Sequence, residues 1–395
     1  MPALEGMRIL DLTQYEAGPS ATQALAWMGA DVVKVERPGK GDPGRGGPFV
    51  ADSAYFLNWN ANKRSLALDV GQPEGRELFL ELLPRFDAVV ENFGPGVIDK
   101  LDLGWDVLRT AHPGVIFASV KGFGSFGPYA DYKCFDGIAQ AASGAFSMTG
   151  MPDGPPLLPG ATLGDVGTGM QLALAICAAY IQRLRTGVGQ RVELSMQEAM
   201  TYYLRTRIAM GAKWGEVAAE RAGHGRGGVY NLFPTAPFGP NDYVFVMAIT
   251  EAMFIDLARA IGQPELLEDP RYVDARSRAR HGDELYAVVA EWAKQHDKHE
   301  AMRILGENGV PASAVLDTQD LFQDPHLLAR GFVHQVDHGE LGHKPLLGWP
   351  ARMSDSEVAL RAAPHLGEHT EEVLAAELSV DDAALARLRE AGVIA

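Results

Sequence analysis

The run Leu163-Gly164-Asp165-Val166-Gly167-Thr168-Gly169-Met170 sets one carboxylate among three glycines, at the mouth of an apolar stretch that reads as helix to Arg185. With Gly164 before it and Gly167 and Gly169 after it, little side-chain bulk keeps a large ligand from Asp165. Gly187 is the expected helix stop, with Arg183 and Arg185 in the last turn where cations suit the dipole. A carboxylate at a helix N-terminus is stabilised as the anion by roughly 0.3–1 kcal/mol, which keeps it charged and available. Taken alone, these eight residues favour a plain N-cap. The case for chemistry comes from the rest of the chain.

A second set of candidates is cationic. Residues 37–48 are too rich in Gly and Pro for regular structure and carry Arg37, Lys40 and Arg45, with Lys63 and Arg64 soon after. Such a loop at the C-terminal edge of parallel strands suits phosphates; a solvated surface loop explains it equally well. Asn92-Phe93-Gly94-Pro95-Gly96 is a turn with exposed amides. In a second glycine-rich loop Gly223, Gly225, Gly227 and Gly228 surround His224 and Arg226, which suits a segment that moves against a ligand or a simple linker. Lys133 and Asp136 read as a surface ion pair, and Cys134, with no histidine beside it, as a core residue. The histidines beyond residue 280 follow no ligand spacing, so no metal site is expected.

The elements that must position these groups alternate. Residues 7–12 read as a buried strand, Ser20 as the cap of a helix to Met28, and residues 31–36 as a second strand. That is a parallel βαβ unit. Glu36 ends the second strand, where dinucleotide folds place an acid for the ribose. However, the first turn is EAGPS rather than G-x-G-x-x-G, and Pro19 lacks the N–H that a pyrophosphate would need, which disfavours a dehydrogenase. Further strands at 66–69, 88–91, 115–120 and 189–194 extend a large α/β, Rossmann-like domain. We expect it to span 1–215 and 331–395, with a smaller α+β domain at 216–330 that begins at the glycine loop.

Composition narrows the class. A formal charge of −16 argues against a nucleic-acid or anionic-membrane binder, and 47% hydrophobic residues suit a large core. Two cysteines exclude a disulfide framework and fit a reducing, cytoplasmic setting. No signal peptide is evident at the N-terminus, and the apolar stretch LALAICAAYI is too short to span a bilayer.

The segments LDLTQYEAGPSA, GADVVKVERPGKGD, NKRSLALD, ENFGPG, ASVKGFG, GPPLLPGATLGDVGTGM, TGVGQRVELSMQEA and APHLGEHTEEVL, in this order, resemble the family III CoA-transferases over nearly the whole chain. That group includes formyl-CoA transferase, carnitine CoA-transferase and alpha-methylacyl-CoA racemase. The resemblance implies that Asp165 is a nucleophile forming covalent acyl and CoA intermediates, and that Gly225, Gly227 and Gly228 belong to a shielding loop. It also implies CoA contacts at Ala17, Arg37, Leu68, Asp69, Asn92, Phe93, Gly94, Lys100, Lys133 and Phe135, with Glu16 and Asp136 near the substrate. Coenzyme A enters as substrate, with no prosthetic group, and the protein is expected as an interlocked ring-like homodimer whose active site lies between domains. Formyl-CoA transferase has glutamine and tryptophan where this chain has Glu16 and Gly47. That difference points to small dicarboxylates, for example succinyl-CoA with a C4–C5 acid, whose distal carboxylate needs His224, Arg226 or Arg45 as partner. The alternative is a 2-methylacyl-CoA racemase, but Phe135 stands at the position of that enzyme's histidine and cannot carry a proton.

Overall fold

The structure is a computed structural model describing residues 1–46 and 52–395; Gly47 lies outside the described residues. The chain forms two compact units, one of residues 1–146, 158–218 and 331–395, the other of residues 147–157 and 219–330. Residues 147–157 thus join the second unit, away from their neighbours in sequence.

The first unit is built on β1 (Arg8–Asp11), β2 (Asp31–Glu36), β3 (Arg64–Ala67), β4 (Ala88–Glu91), β5 (Ile116–Lys121) and β6 (Arg191–Ser195). They form a six-stranded parallel sheet in the order β3-β2-β1-β4-β5-β6. The inner strands are apolar on both faces because helices cover both. Helices Ala17–Trp27 and Thr168–Thr186 pack on one face through Ala21, Leu25, Leu172 and Ile176. Helix Pro73–Leu82 and the C-terminal pair Thr370–Leu378 and Asp382–Glu390 pack on the other through Phe79, Val373, Leu374 and Leu388. The tail is stitched back to the sheet by Asp69 N–H donating to the Val393 carbonyl at 2.8 Å. Strand order reverses between β1 and β4, and in such sheets the crevice beyond the strand ends at that point receives ligands.

Two expectations change. The first helix begins at Ala17, and Ser20 lies inside it, donating to the Ala17 carbonyl at 3.0 Å rather than capping. The apolar helix is also longer than expected: from Leu163 to Thr186 it runs 24 residues, long and apolar enough by composition to cross a membrane. Half of that stretch is buried here, against β5, β6 and the first helix.

The second unit has an antiparallel sheet of β7 (Tyr230–Pro234), β8 (Tyr243–Met247) and β9 (Ala312–Ala314). Helices Glu251–Ala260, Gly282–Ala293 and Lys298–Glu307 complete its core around Phe233, Val246, Phe254 and Leu285. A hairpin absent from the sequence reading, β10 (Val333–Asp337) with β11 (His343–Leu347), belongs to the first unit.

Candidate active site

The turn after β1 is held from below by buried charge. Asp11 ends that strand with no exposure, and Lys63 Nζ meets its carboxylate at 3.0 Å while Thr22 Oγ1 donates to it at 2.8 Å. Lys34 Nζ pairs with Asp42 at 2.8 Å and donates to the Thr13 carbonyl at 2.6 Å. Burial works against the Asp11 charge, but Lys63, Lys34 and the Thr13 bonds outweigh it and hold the carboxyl down to about 2. Burial also pushes Lys63 down to about 8 against the pull of Asp11, which leaves the pair ionised at neutral pH. Asp42 accepts from the Tyr15 N–H at 3.1 Å, and Tyr15 takes a positive φ of 62°. The next residue, Glu16, is thereby turned inward.

Asp165 is the third residue of a single π-helical turn, Leu163–Gly167, that opens the long helix. The cap position falls to Thr162, so Asp165 is no N-cap. π turns of this kind recur at functional sites, where they redirect one side chain. Two of the glycines are required by close approach. A Cβ on Gly164 would stand 2.6 Å from the Asp136 carbonyl, and one on Gly169 would stand 2.1 Å from Ser20 Oγ and 2.6 Å from the Ala17 carbonyl. Gly169 therefore lets the long helix lie directly against the start of the first, which brings Asp165 to the turn carrying Glu16 and Ala17.

Three carboxylates meet there, with different partners. Glu16, 5% exposed, accepts from Thr162 Oγ1 at 2.6 Å and from the Tyr55 hydroxyl. Asp136 accepts from Gln140 Nε2 at 2.7 Å and from the Asp165 backbone N–H at 3.2 Å. The Asp165 carboxylate accepts no hydrogen bond among the described residues. Burial, then Glu16, then Asp136 push it up to about 7. Burial raises Glu16 as well, although its two hydroxyl donors oppose this.

Two clefts lie along the C-terminal edge of the sheet. One, of about 290 Å³, brings Asp165 together with Ala17, Asn92, Phe93, Gly94, Lys133 and Phe135. The other, of about 300 Å³, collects Arg37, Leu68 and Asp69, and shares Gln14 and Phe93 with the first. Across the switch point, Gln14 N–H donates to Asn92 Oδ1 and Asn92 Nδ2 donates to the Gln14 carbonyl, each at 2.8 Å. Arg37 is mostly exposed and reaches Asp69 at 3.3 Å. A basic group at the outer cleft and a carboxylate in the adjoining inner one suit an anionic nucleotide carrying a thioester arm.

Other expected residues lie elsewhere. Lys100 is exposed and lines neither cleft. Arg45, expected to meet a substrate carboxylate, is buried with its guanidinium committed to Glu36 at 2.7 and 2.8 Å, to Asp52 at 2.7 Å and to the Pro364 carbonyl at 3.1 Å. The same pairing occupies Glu36, the acid considered for a ribose. Gly225, Gly227, Gly228, His224 and Arg226 belong to the second unit, with His224 and Arg226 exposed. There the loop folds onto β7, Arg226 N–H donating to the Tyr230 carbonyl at 2.6 Å and Leu232 N–H to the His224 carbonyl at 3.2 Å. Gly225 and Gly228 are tight positions, their absent Cβ atoms falling 2.2 Å from the Tyr230 carbonyl and 2.6 Å from the Gly282 carbonyl. Among the described residues no three His, Cys, Asp or Glu side chains converge to hold a metal.

The sequence reading passed over Tyr55, Thr162, Gln140 and Lys121. Tyr55 stands in the short helix Ala54–Asn60, and burial, Glu16 and Asp165 all raise its phenol above the ordinary range. Lys121 fixes the β4 turn, bonding Glu91 at 2.9 Å and the Phe93 carbonyl at 2.7 Å. Tyr55, Thr162 and Lys121 carry no local sequence signal, since each acts through a partner far along the chain; Gln140 meets Asp136 one helical turn away, a spacing too common to mark a site. Cys134 lines the inner cleft, where burial and Asp165 push its thiol up to about 11, too high for a nucleophile at neutral pH.

Comparison with known proteins bears on this site. Residues 4–370 match CoA-transferase family III. The chain is 40% identical to a formyl-CoA:oxalate CoA-transferase of Streptomyces coelicolor, covering 99% of both chains. It is 39% identical to one of Rhodopseudomonas palustris, covering 99% of this chain and 97% of the other. Among solved structures, a CAIB/BAIF family protein from Brucella suis is similar at a TM-score of 0.83 and 32% identity, over 95% of this chain and 99% of that one. Rv3272 from Mycobacterium tuberculosis is similar at 0.81 and 29%, over 94% and 98%.

Proposed function

Since this chain belongs to CoA-transferase family III and is a CoA-transferase, we propose that it moves CoA between small carboxylic acids with Asp165 as the temporary carrier. The observation that carries this reading is Asp165 itself: a carboxylate without hydrogen-bond partners among the described residues, lining a cleft with the Asn92–Gly94 turn and Lys133.

The Asp165 carboxylate attacks the thioester carbonyl of an acyl-CoA. The C–S bond breaks, CoA thiolate departs and an acyl-aspartyl anhydride remains. The thiolate then attacks the aspartyl carbonyl, the donor acid leaves as its carboxylate, and Asp165 holds CoA as a thioester. An acceptor carboxylate attacks that thioester and expels CoA thiolate, which takes the acceptor's acyl group from the new anhydride and regenerates Asp165. One thioester is consumed and one is formed overall, so no ATP is needed. An ungrounded carboxylate is the more reactive nucleophile for lacking donors, and exclusion of water protects each intermediate.

For the acids, the curated relatives carry the names of formyl-CoA and oxalate. Our reading favours succinyl-CoA with a C4–C5 acid, because Glu16 contributes negative charge beside Asp165. Arg45 is committed to Glu36 and Asp52 and is therefore not available to the distal carboxylate of such an acid. An interlocked homodimer is part of this reading. It is supported by Leu174, Ile181 and Leu184, which leave an exposed apolar stripe on the long helix. The racemase alternative gains nothing from Phe135, which lines the cleft without a transferable proton.

Mass spectrometry of protein incubated with formyl-CoA, succinyl-CoA and a panel of acids tests the proposal. An adduct on Asp165, absent from Asp165→Asn, is the expected result. Full turnover by Asp165→Asn would refute it.

A further inference from the structure

Among the described residues, the two carboxylates beside the nucleophile, Glu16 and Asp136, have no cation paired with them. The groups that shift Asp165 are Glu16 and Asp136, and those that shift Glu16 are Asp136 and the hydroxyls of Thr162 and Tyr55. Once Asp165 carries CoA its own charge is gone, and Glu16 and Asp136 remain. They are held differently. Asp136 is fixed by the Asp165 backbone N–H and the Gln140 amide, and so belongs to the scaffold of the π turn. Glu16 is held by two neutral hydroxyls, one of them on Tyr55, in the residue just before the cleft-lining Ala17.

An acceptor acid must bring its carboxylate to within about 3–3.5 Å of the aspartyl carbonyl to react. Whatever is bonded to that carboxylate is then brought close to Glu16 and Asp136, which are held beside Asp165 through Thr162 and the Asp165 backbone N–H and whose charges act on it. We propose that Glu16 is a charge filter on the acceptor: it disfavours an acid, such as oxalate, whose second carboxylate is bonded directly to the reacting one. Acids whose remainder next to the reacting group is neutral are admitted. This inference rests on the transfer reading through Asp165 and refines its substrate class. A like charge placed without a counter-ion in a partly desolvated site is a common means of rejecting a near-isostere. The filter acts on spacing, not on the number of carboxylates, so a C4 dicarboxylate, with two methylenes between its charges, is not rejected by it.

Oxalate and oxamate provide the test, because they are nearly isosteric and differ by one negative charge. With an acyl-CoA donor that the wild type turns over, kcat/KM is measured for both as acceptors in wild type, Glu16→Gln and Glu16→Asp. The wild type is expected to prefer oxamate by about tenfold or more, Glu16→Gln to bring the ratio close to one, and Glu16→Asp to keep the preference. The ratio within each protein cancels a general loss of activity, which a purely structural role for Glu16 would produce. A wild type that uses oxalate as well as oxamate overturns the filter, as does a ratio unchanged in Glu16→Gln. If no acid at all receives CoA and Asp165 gains no adduct, the transfer reading fails along with it; transfer with an unchanged ratio removes the filter alone.

Discussion

On the proposal that Asp165 is the nucleophile, its destabilisation as an anion leaves two measurable traces at the level of single residues. With Asp165 pushed up to about 7, its reactive form grows as pH rises, so kcat/KM for CoA transfer should climb through pH 7 and level off above it. Replacing Glu16 by Gln removes the larger of the two repelling charges and should move that midpoint to lower pH. The second trace is stability. A carboxyl whose folded pKa lies above its unfolded value stabilises the fold fully below the unfolded pKa and loses that contribution as pH rises through the folded one. For Asp165 the window runs from about 4 to about 7, so Asp165→Asn should be more stable than wild type at pH 8, by roughly 2–4 kcal/mol in denaturant titrations. An equal or lower stability there would contradict the burial described. The glycines around Asp165 made it conspicuous in sequence. Its acid neighbours were less legible: Glu16 and Asp136 stood out only through the resemblance, and Tyr55 and Thr162 not at all, because their hydroxyls act across separations such as the 146 residues between Thr162 and Glu16.

Among the elements, the packing of the long helix on the first decides whether Asp165 and the Glu16 turn meet. Gly169→Ala would thrust a methyl to 2.1 Å from Ser20 Oγ and 2.6 Å from the Ala17 carbonyl, forcing the helices apart. Overpacking of this kind typically costs about 1–3 kcal/mol, and here it should lower transfer more than tenfold at temperatures where the protein stays folded. Circular dichroism alongside the assay separates the two effects. The parallel strands were readable because their apolar runs are short and bounded by turns, and all six began within two residues of their expected starts. The π turn was not readable, since a single i→i+5 step leaves no periodicity. The β10–β11 hairpin was missed for a related reason: its apolar residues do not alternate with the polar ones, and only one residue in each strand is buried.

For the whole molecule, the buried pair of Asp11 and Lys63 ties the surroundings of Asp165 to global stability. Asp11→Asn leaves Lys63 with an uncompensated buried charge and should cost about 3–5 kcal/mol. The wild-type stabilisation from Asp11, whose folded pKa is depressed, is present above pH 4 and fades as pH falls toward 2. Acid titration followed by fluorescence would show a loss in that range that Asp11→Asn lacks. The reciprocal amide bonds between Gln14 and Asn92 have another bearing, because the outer and inner hollows meet at these two residues. On the proposed reading, with the nucleotide of CoA in the outer hollow, a thioester on a bare pantetheine stub would leave that hollow vacant and forfeit anchorage that could be drawn on at the reacting carbon. Such a stub should therefore turn over slowly even at saturation, the handle being felt in the speed of the reaction as well as in the grip.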